Sequence, residues 1–188
     1  MNELRDRLDT PSGWEWVRRG AWAVLSIALL AFIVQGATRP ADPYVDGGAR
    51  LSLPGFDDIA FRVTSPAGKV ADWCAMLAET EQHRQQGLMN QTSLLGYDGM
   101  VFQFPAPSTS GFWMKNTKIP LAVAFFDGEG RFVNAQGMDP CPAEVDDCPS
   151  YPADAPYVTA VEVPKGGLGA LGIGPGSVIS FPGGPCPT

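Results

Sequence analysis

The sequence predicts a mainly β domain, a β-rich α+β fold whose short strands form a compact, partly closed barrel or a sandwich with one or two short helices. A single transmembrane helix is predicted to precede it. Two observations lead to the fold prediction. The 188 residues include 22 glycines and 18 prolines, a turn-rich composition that argues against a helical bundle. The hydrophobic residues, 45% of the chain, fall mostly in short runs bounded by turn signals, which is the pattern of short strands.

The N-terminal part contains one long uncharged segment. Residues 20–37 read GAWAVLSIALLAFIVQGA and lie between Arg19 and Arg39. A helix of roughly 17–25 such residues crosses a bilayer. Arg18 and Arg19 immediately precede this segment, so the positive-inside rule predicts that residues 1–19 lie in the cytoplasm, and the tryptophans at this end favour the headgroup region.

These features predict a single-pass cell-membrane protein. We expect contact with the membrane through residues 20–37, a linker at 38–56 and an extracytoplasmic β-rich domain at 57–188. The alternative is a secreted domain released from a signal peptide, because small residues near Gly36 fit a cleavage site.

The strands of the domain are predicted from alternating or continuous apolar runs that end at turn residues. A short helix is predicted at 80–87, with Thr80 as its N-cap and Gly87 just past its end. Asp127-Gly128 is the strongest hairpin signal in the chain. The predicted strands are 59–64, 70–77, 99–104, 121–126, 131–136, 157–163 and 177–181.

The four cysteines predict two structural disulfides. All four follow the predicted anchor and would therefore lie in an oxidising compartment. Four cysteines allow three connectivities; the short spacing of Cys141 and Cys148 favours their pairing, which leaves Cys74 for Cys186. A metal site is not expected, since the chain has no C-x₂-C pair and only one histidine, His83. No cofactor is expected either.

The charge distribution disfavours nucleic acid, and no nucleic-acid partner is expected. The formal net charge is −7, and the domain that follows the anchor is acidic. No cluster of Lys and Arg is present to neutralise phosphates.

Five ordered motifs carry a family resemblance. They are RQQGLM at 84–89, GMVFQF at 99–104, FWMKNT at 112–117, IPL at 119–121 and the hairpin signal that begins at Phe126. Over roughly residues 57–181 the chain resembles the family known as domain of unknown function 192. The resemblance implies a small β-rich fold, often secreted or membrane-anchored, without an established activity. Family members often carry an acid after the IPL triplet, where this chain has Ala122, and this departure weakens any enzymatic interpretation.

The FWMKNT segment gives the first candidate site. Trp113, Lys115, Asn116 and Thr117 place an aromatic plane beside several polar groups, as in sugar-binding surfaces. The alternative is structural: Phe112, Trp113 and Met114 pack in the core, and the polar residues form a turn. Four methionines are interpreted as core packing rather than as ligands: Met89, Met100, Met114 and Met138.

Three more distant polar residues complete the candidate ligand-binding set. Asp98 precedes Gly99 at a predicted turn, and Arg84 lies in the first motif. Glu162 lies between two valines of a predicted strand and either faces water or faces the interior. In the interior it would need a cationic partner, for which Lys115 or Arg84 is available.

The sequence therefore predicts a membrane-anchored binding or interaction module of the cell envelope. Its expected partner is an envelope polysaccharide or another envelope protein. No catalytic residues are assigned, because the chain lacks a G-x-S-x-G elbow, an H-E-x-x-H motif and a P-loop. The alternative is a hydrolase of an envelope glycan that uses a carboxylate pair, drawn from Asp98, Asp127, Asp139 and Glu162.

Overall fold

The fold was obtained as a computed structural model, which describes residues 50–51 and 53–186. The predicted anchor at 20–37 lies outside these residues. Within them, no helix is both long enough and apolar enough to cross a membrane. The described part contains nine strands and one short helix, so the mainly β class predicted from the sequence is confirmed.

Each of the seven predicted strands and the predicted helix is present, with small shifts of the boundaries. Two additional strands of two residues each were not predicted. In chain order the elements are β1 (Asp57–Thr64), β2 (Val70–Ala78), α1 (Glu81–Gln86), β3 (Gly99–Ser108), β4 (Phe112–Trp113), β5 (Leu121–Phe126), β6 (Phe132–Met138), β7 (Ser150–Tyr151), β8 (Tyr157–Pro164) and β9 (Val178–Ser180).

Seven of the strands form one curled sheet in the order β6-β5-β8-β3-β2-β1-β9. All neighbours are antiparallel except β2 and β3, which are parallel and are connected through α1. The two edges approach each other where the Phe132 N–H donates to the Ser177 carbonyl over 3.0 Å and the Ile179 N–H donates to the Gly130 carbonyl over 2.8 Å. The sheet is therefore a half-barrel whose edges meet at one end.

The sheet separates two hydrophobic cores. The inner core contains residues of both edges and of the central strands, such as Phe61, Val161 and Ile179. We infer that it lines the inside of the curl. The outer core lies on the opposite face, where loops cover β2, β3, β8 and β5. Leu53 and Phe56, which fall within the predicted linker, are buried in this outer core.

Both disulfides join the pairs expected from the sequence. Cys74 on β2 is bonded to Cys186, and Cys141 is bonded to Cys148, with Cα–Cα distances of 5.1 Å and 5.9 Å. The first closes a separation of 112 residues and ties the C-terminal tail to the sheet, whereas the second closes a separation of 7 residues.

The two bridges are expected to differ in their contribution to stability. Replacing Cys74 and Cys186 by serine should lower the free energy of unfolding by about 5 kcal/mol, because the longer loop loses more entropy when closed. Replacing Cys141 and Cys148 should cost about 2–3 kcal/mol by the same relation. Urea denaturation of both double variants measures the difference, and an equal or inverted order would contradict it.

Candidate functional site

Trp113 is held at the surface by a short ribbon. β4 pairs with β7 so that Trp113 lies opposite Ser150, and the Trp113 residue is 55% exposed. The preceding Phe112 packs edge-on against Phe102 and Phe125, with ring centroids 4.9 Å and 5.5 Å apart. The following Met114 is fully buried. The core interpretation is therefore right for Phe112 and Met114 and wrong for Trp113.

Two contacts hold the segment that leads into this ribbon. A Cβ atom at Gly111 would lie 2.3 Å from Ser150 Oγ, so a larger residue there would require the Ser150 hydroxyl to move. The Tyr157 hydroxyl donates a hydrogen bond to the Ser110 carbonyl over 2.8 Å. Both contacts hold the residues before Trp113, and the indole is presented on a fixed support.

Lys115 binds the disulfide-closed loop rather than a free surface. Its ammonium donates to the carbonyls of Ala143, over 3.1 Å, and of Val145. It also lies 3.7 Å from Asp146 Oδ1. Lys115 is thus a positioning residue that holds loop 141–148 beside the segment that carries Trp113.

Asn116 and Thr117 form the turn that the structural alternative predicted. Asn116 has φ +59°, a left-handed conformation that asparagine tolerates better than most residues. Its N–H donates to the Cys141 carbonyl over 2.9 Å, and its own carbonyl accepts from the Asn90 N–H over 2.8 Å. Thr117 is buried, and its N–H donates to the Met114 carbonyl over 2.9 Å.

Arg84 and Asp98 both contact the β2–α1–β3 crossover. Arg84 donates to the carbonyls of Glu79 and, over 2.9 Å, of Gln103. Its guanidinium lies 5.0 Å from the centroid of the Phe104 ring. An Asp98 carboxylate oxygen accepts the Cys74 N–H over 2.9 Å. These contacts give both side chains a structural role.

Glu162 faces the interior without the cationic partner that the sequence suggested. It is 4% exposed and lies on β8 opposite Met100 of β3 and Val123 of β5. Within the described part of the chain, its carboxyl makes no hydrogen bond and no ion pair. Burial raises the pKa of Glu162 to about 8, so the carboxyl is protonated at neutral pH.

The structure thus brings only part of the predicted set together. We call Trp113, Lys115, Ser150 and loop 141–148 the Trp113 surface. The sequence did not predict that Ser150 and the residues between Cys141 and Cys148 belong to this surface. The short spacing of the two cysteines was the signal that pointed to the loop. Val145 of the loop is also exposed.

The carboxylates of the hydrolase alternative have other surroundings. Asp127 pairs with Arg131 over 2.8 Å, and Asp139 pairs with Lys165 over 2.6 Å. Glu162 is buried, and Asp98 accepts a backbone hydrogen bond. The hydrolase interpretation has no support in this geometry.

Fold and site together define a disulfide-linked, half-barrel β domain that exposes an aromatic side chain at Trp113. The family model of DUF192, described as an uncharacterized ACR, matches residues 62–181. The chain belongs to this family, as the ordered motifs indicated. No curated protein matches the chain.

Two solved structures are similar to the chain. A crystal structure from Novosphingobium aromaticivorans DSM 12444, a protein of unknown function, is 28% identical with a TM-score of 0.60, and the match covers 76% of this chain and 99% of that one. A crystal structure from Sinorhizobium meliloti 1021, provisionally named a transcription regulator, is 24% identical with a TM-score of 0.58, and the match covers 72% and 98%. The second likeness shows the fold alone.

Alanine variants of β4 should separate the exposed ring from the buried one. Phe112→Ala is expected to lower the free energy of unfolding by about 3 kcal/mol, because it removes an aromatic ring that packs on the outer core. Trp113→Ala should cost less than about 1 kcal/mol, since surface substitutions remove little buried area. Thermal melts compare the two variants, and a larger loss for Trp113→Ala would contradict the assigned exposure.

Glu162→Gln should remove a pH dependence of stability. The ordinary pKa of the carboxyl is 4.5, and the pKa in the folded chain is about 8. Between these values the unfolded chain has released the proton that the folded chain keeps. The Glu162 contribution to the free energy of unfolding therefore falls by about 1.4 kcal/mol per pH unit as pH rises, and it levels off above the folded pKa.

Denaturant titrations of both proteins at several pH values measure this effect. The stability of the Glu162→Gln variant relative to the parent chain should rise steadily from about pH 5 to about pH 8. A constant difference over that range would show that the carboxyl is not buried as described.

Proposed function

We propose that this chain is a non-catalytic binding module of the cell envelope and that its Trp113 surface binds an envelope polysaccharide. Residues 20–37 anchor it in the membrane, and the domain at 57–188 lies outside the cytoplasm. The observation that carries the proposal is the 55% exposure of Trp113, which lies between a partly buried Phe112 and a fully buried Met114. A large aromatic ring held in water on a fixed support is typical of a recognition surface.

The proposed location rests on two features. The two disulfides of the described residues are typical of proteins that fold in an oxidising compartment. The uncharged run at 20–37 has the length and flanking charges of a membrane anchor.

A polysaccharide fits the Trp113 surface better than a protein partner does. The indole offers a flat apolar face against the C–H face of a sugar ring, while the exposed Ser150 and the loop backbone offer hydrogen-bonding groups. Of the other large apolar side chains exposed in the described residues, Val145 adds to the Trp113 surface, whereas Leu51, Val70 and Val178 lie elsewhere in the fold. These scattered residues do not extend the Trp113 surface into the apolar area that a stable protein interface needs.

We propose a non-catalytic role because the candidate residues make structural contacts. Lys115 and Arg84 bind backbone carbonyls, and the buried Glu162 does not belong to the Trp113 surface. A binding role requires only the aromatic face and its polar surroundings, whereas hydrolysis would require two carboxylates at one cleft.

Co-sedimentation with insoluble peptidoglycan sacculi, and with particles coated with purified capsular polysaccharide, tests the proposal. Trp113→Ala should weaken retention on at least one glycan by about tenfold or more, which is the loss of about 1.4 kcal/mol of binding free energy. Val70→Ala is the matched control, because Val70 is similarly exposed but begins β2, whose other end pairs with the Phe102 that contacts β4.

Three outcomes would overturn it. They are no retention on any glycan, equal retention of the parent chain and Trp113→Ala, and retention that disappears when the sacculi are first treated with protease. The last result would indicate an envelope protein as the partner.

A further inference from the structure

The Cys74–Cys186 bridge lies beside a carboxylate. Asp58 is two residues from Ala60, the β1 partner of Cys74, and its Oδ2 atom is 3.9 Å from Cys74 Sγ. One carboxylate oxygen of Asp58 and the two sulfur atoms all lie within 4.8 Å of one another. The three residues come from β1, β2 and the C-terminal tail, so they form no motif in the sequence. Only the fold brings these metal-ligating groups together.

The two sulfur atoms differ in how firmly the fold holds them. Cys74 is fully buried on β2. Its N–H donates to an Asp98 carboxylate oxygen over 2.9 Å, and its carbonyl accepts the Asp98 N–H over 2.8 Å. Cys186 is only partly buried and lies in a tail that reads PGGPCPT from residue 182. The described residues of this tail, 182–186, make no backbone hydrogen bond to the domain. The bridge therefore holds the tail, and Cys186 is the sulfur ligand that can move.

Reduction of this bridge supplies two further ligands. Exposed disulfides are more easily reduced than buried structural ones, and the partly exposed Cys186 gives a reductant access. A dithiol reductant provides two electrons and two protons: it becomes a disulfide, while the S–S bond breaks and Cys74 and Cys186 become thiols. A divalent metal ion then displaces both thiol protons, because the thiolate is the form that binds metals.

The distances suit zinc. Zn–S bonds are about 2.3 Å and Zn–O bonds about 2.0–2.2 Å, in a tetrahedral arrangement, so two ligand atoms of one zinc ion are about 3.6–3.8 Å apart. The observed 3.9 Å between Asp58 Oδ2 and Cys74 Sγ is close to this separation. Only the two sulfur atoms need to separate, from bonding distance to about 3.8 Å, and Cys186 lies on the tail that can move. Asp58 is exposed, so water reaches a fourth position.

We propose that Asp58, Cys74 and Cys186 form a zinc site in the reduced chain, with the fourth position open to water. Zinc then replaces the disulfide as the link between the tail and the sheet, so the redox state of the bridge decides whether the chain holds a metal. The sequence indicated no metal site, because the chain has neither a C-x₂-C pair nor a second histidine. The zinc site is independent of the Trp113 surface.

Titration of the full-length chain with Co²⁺ tests the site, because Co²⁺ occupies zinc sites and absorbs visible light when thiolates bind it. Cys141→Ser and Cys148→Ser remove the other cysteine pair from the tested chain. The chain is reduced with dithiothreitol and separated from it under nitrogen. We expect one Co²⁺ per reduced chain, displaced by Zn²⁺, and none on the oxidised chain.

Variants of the three ligands locate the binding. Asp58→Asn should weaken Co²⁺ binding by about tenfold or more, and Cys186→Ser by about a hundredfold or more. Asp57→Asn is the matched control, because Asp57 is also exposed on β1 and its side chain points to the opposite face of the strand. Zinc should also raise the melting temperature of the reduced chain, and this rise should be absent in Cys186→Ser.

Several results would overturn the proposal. They are no Co²⁺ binding by the reduced chain, equal binding by the oxidised chain, and equal affinities of the reduced parent chain and Asp58→Asn. The last result is also expected if reduction unfolds the chain, since unfolded thiols bind metal without Asp58, and circular dichroism identifies that case. A melting temperature that zinc leaves unchanged would show that the metal does not hold the tail.

Discussion

Burial of β8 on both faces is the constraint on which the rest of the domain depends. β8 pairs with β3 on one side and β5 on the other, and its alternate side chains enter different cores. Val161 and Val163 contribute to the inner core, whereas Ala160 lies in the outer core. Residues 159–163 of the strand are all buried, so each of these side chains must be accommodated in a packed interior.

This constraint accounts for the tight packing beside Glu162. A Cβ atom at Gly99 would lie 2.5 Å from the Glu162 carbonyl oxygen, so the start of β3 can approach β8 only with glycine. The strand that follows carries Met100 into the position opposite Glu162. The same close pairing that completes the sheet leaves Glu162 only 4% exposed.

The outer core also supports the exposed surface. Met114 and Cys141 are buried members of this core, and Phe112 packs against it. The Cys141 N–H donates to the Met114 carbonyl over 3.2 Å, so the start of the disulfide-closed loop is fixed to the segment that follows Trp113. The position of the exposed indole therefore follows from the residues beside it, which the core holds.

Much of the fold was predictable because strand alternation and turn residues are local signals. At the β5–β6 hairpin, for example, an Asp127 carboxylate oxygen accepts the N–H groups of Glu129 and Arg131, as the Asp-Gly turn suggested. β4 and β7 were not predictable, because each has two residues and exists only through pairing with a distant segment. The role of Lys115 depends on carbonyls 28 and 30 residues away. Alternation also showed that Glu162 points away from its neighbouring valines, but it cannot show that both faces of a strand are buried.

The candidate residues differ in whether the fold explains them. Lys115 and Arg84 satisfy backbone carbonyls, and Asp98 and Asn116 join segments through hydrogen bonds, so the structure alone accounts for their presence. Trp113 and Glu162 are different. Each is unfavourable for folding, because Trp113 leaves a large apolar ring in water and Glu162 places a carboxyl in an apolar core. The raised pKa of Glu162 keeps its carboxyl neutral in the core, whereas a ligand is the explanation for an exposed aromatic ring, and the proposed function therefore begins from Trp113.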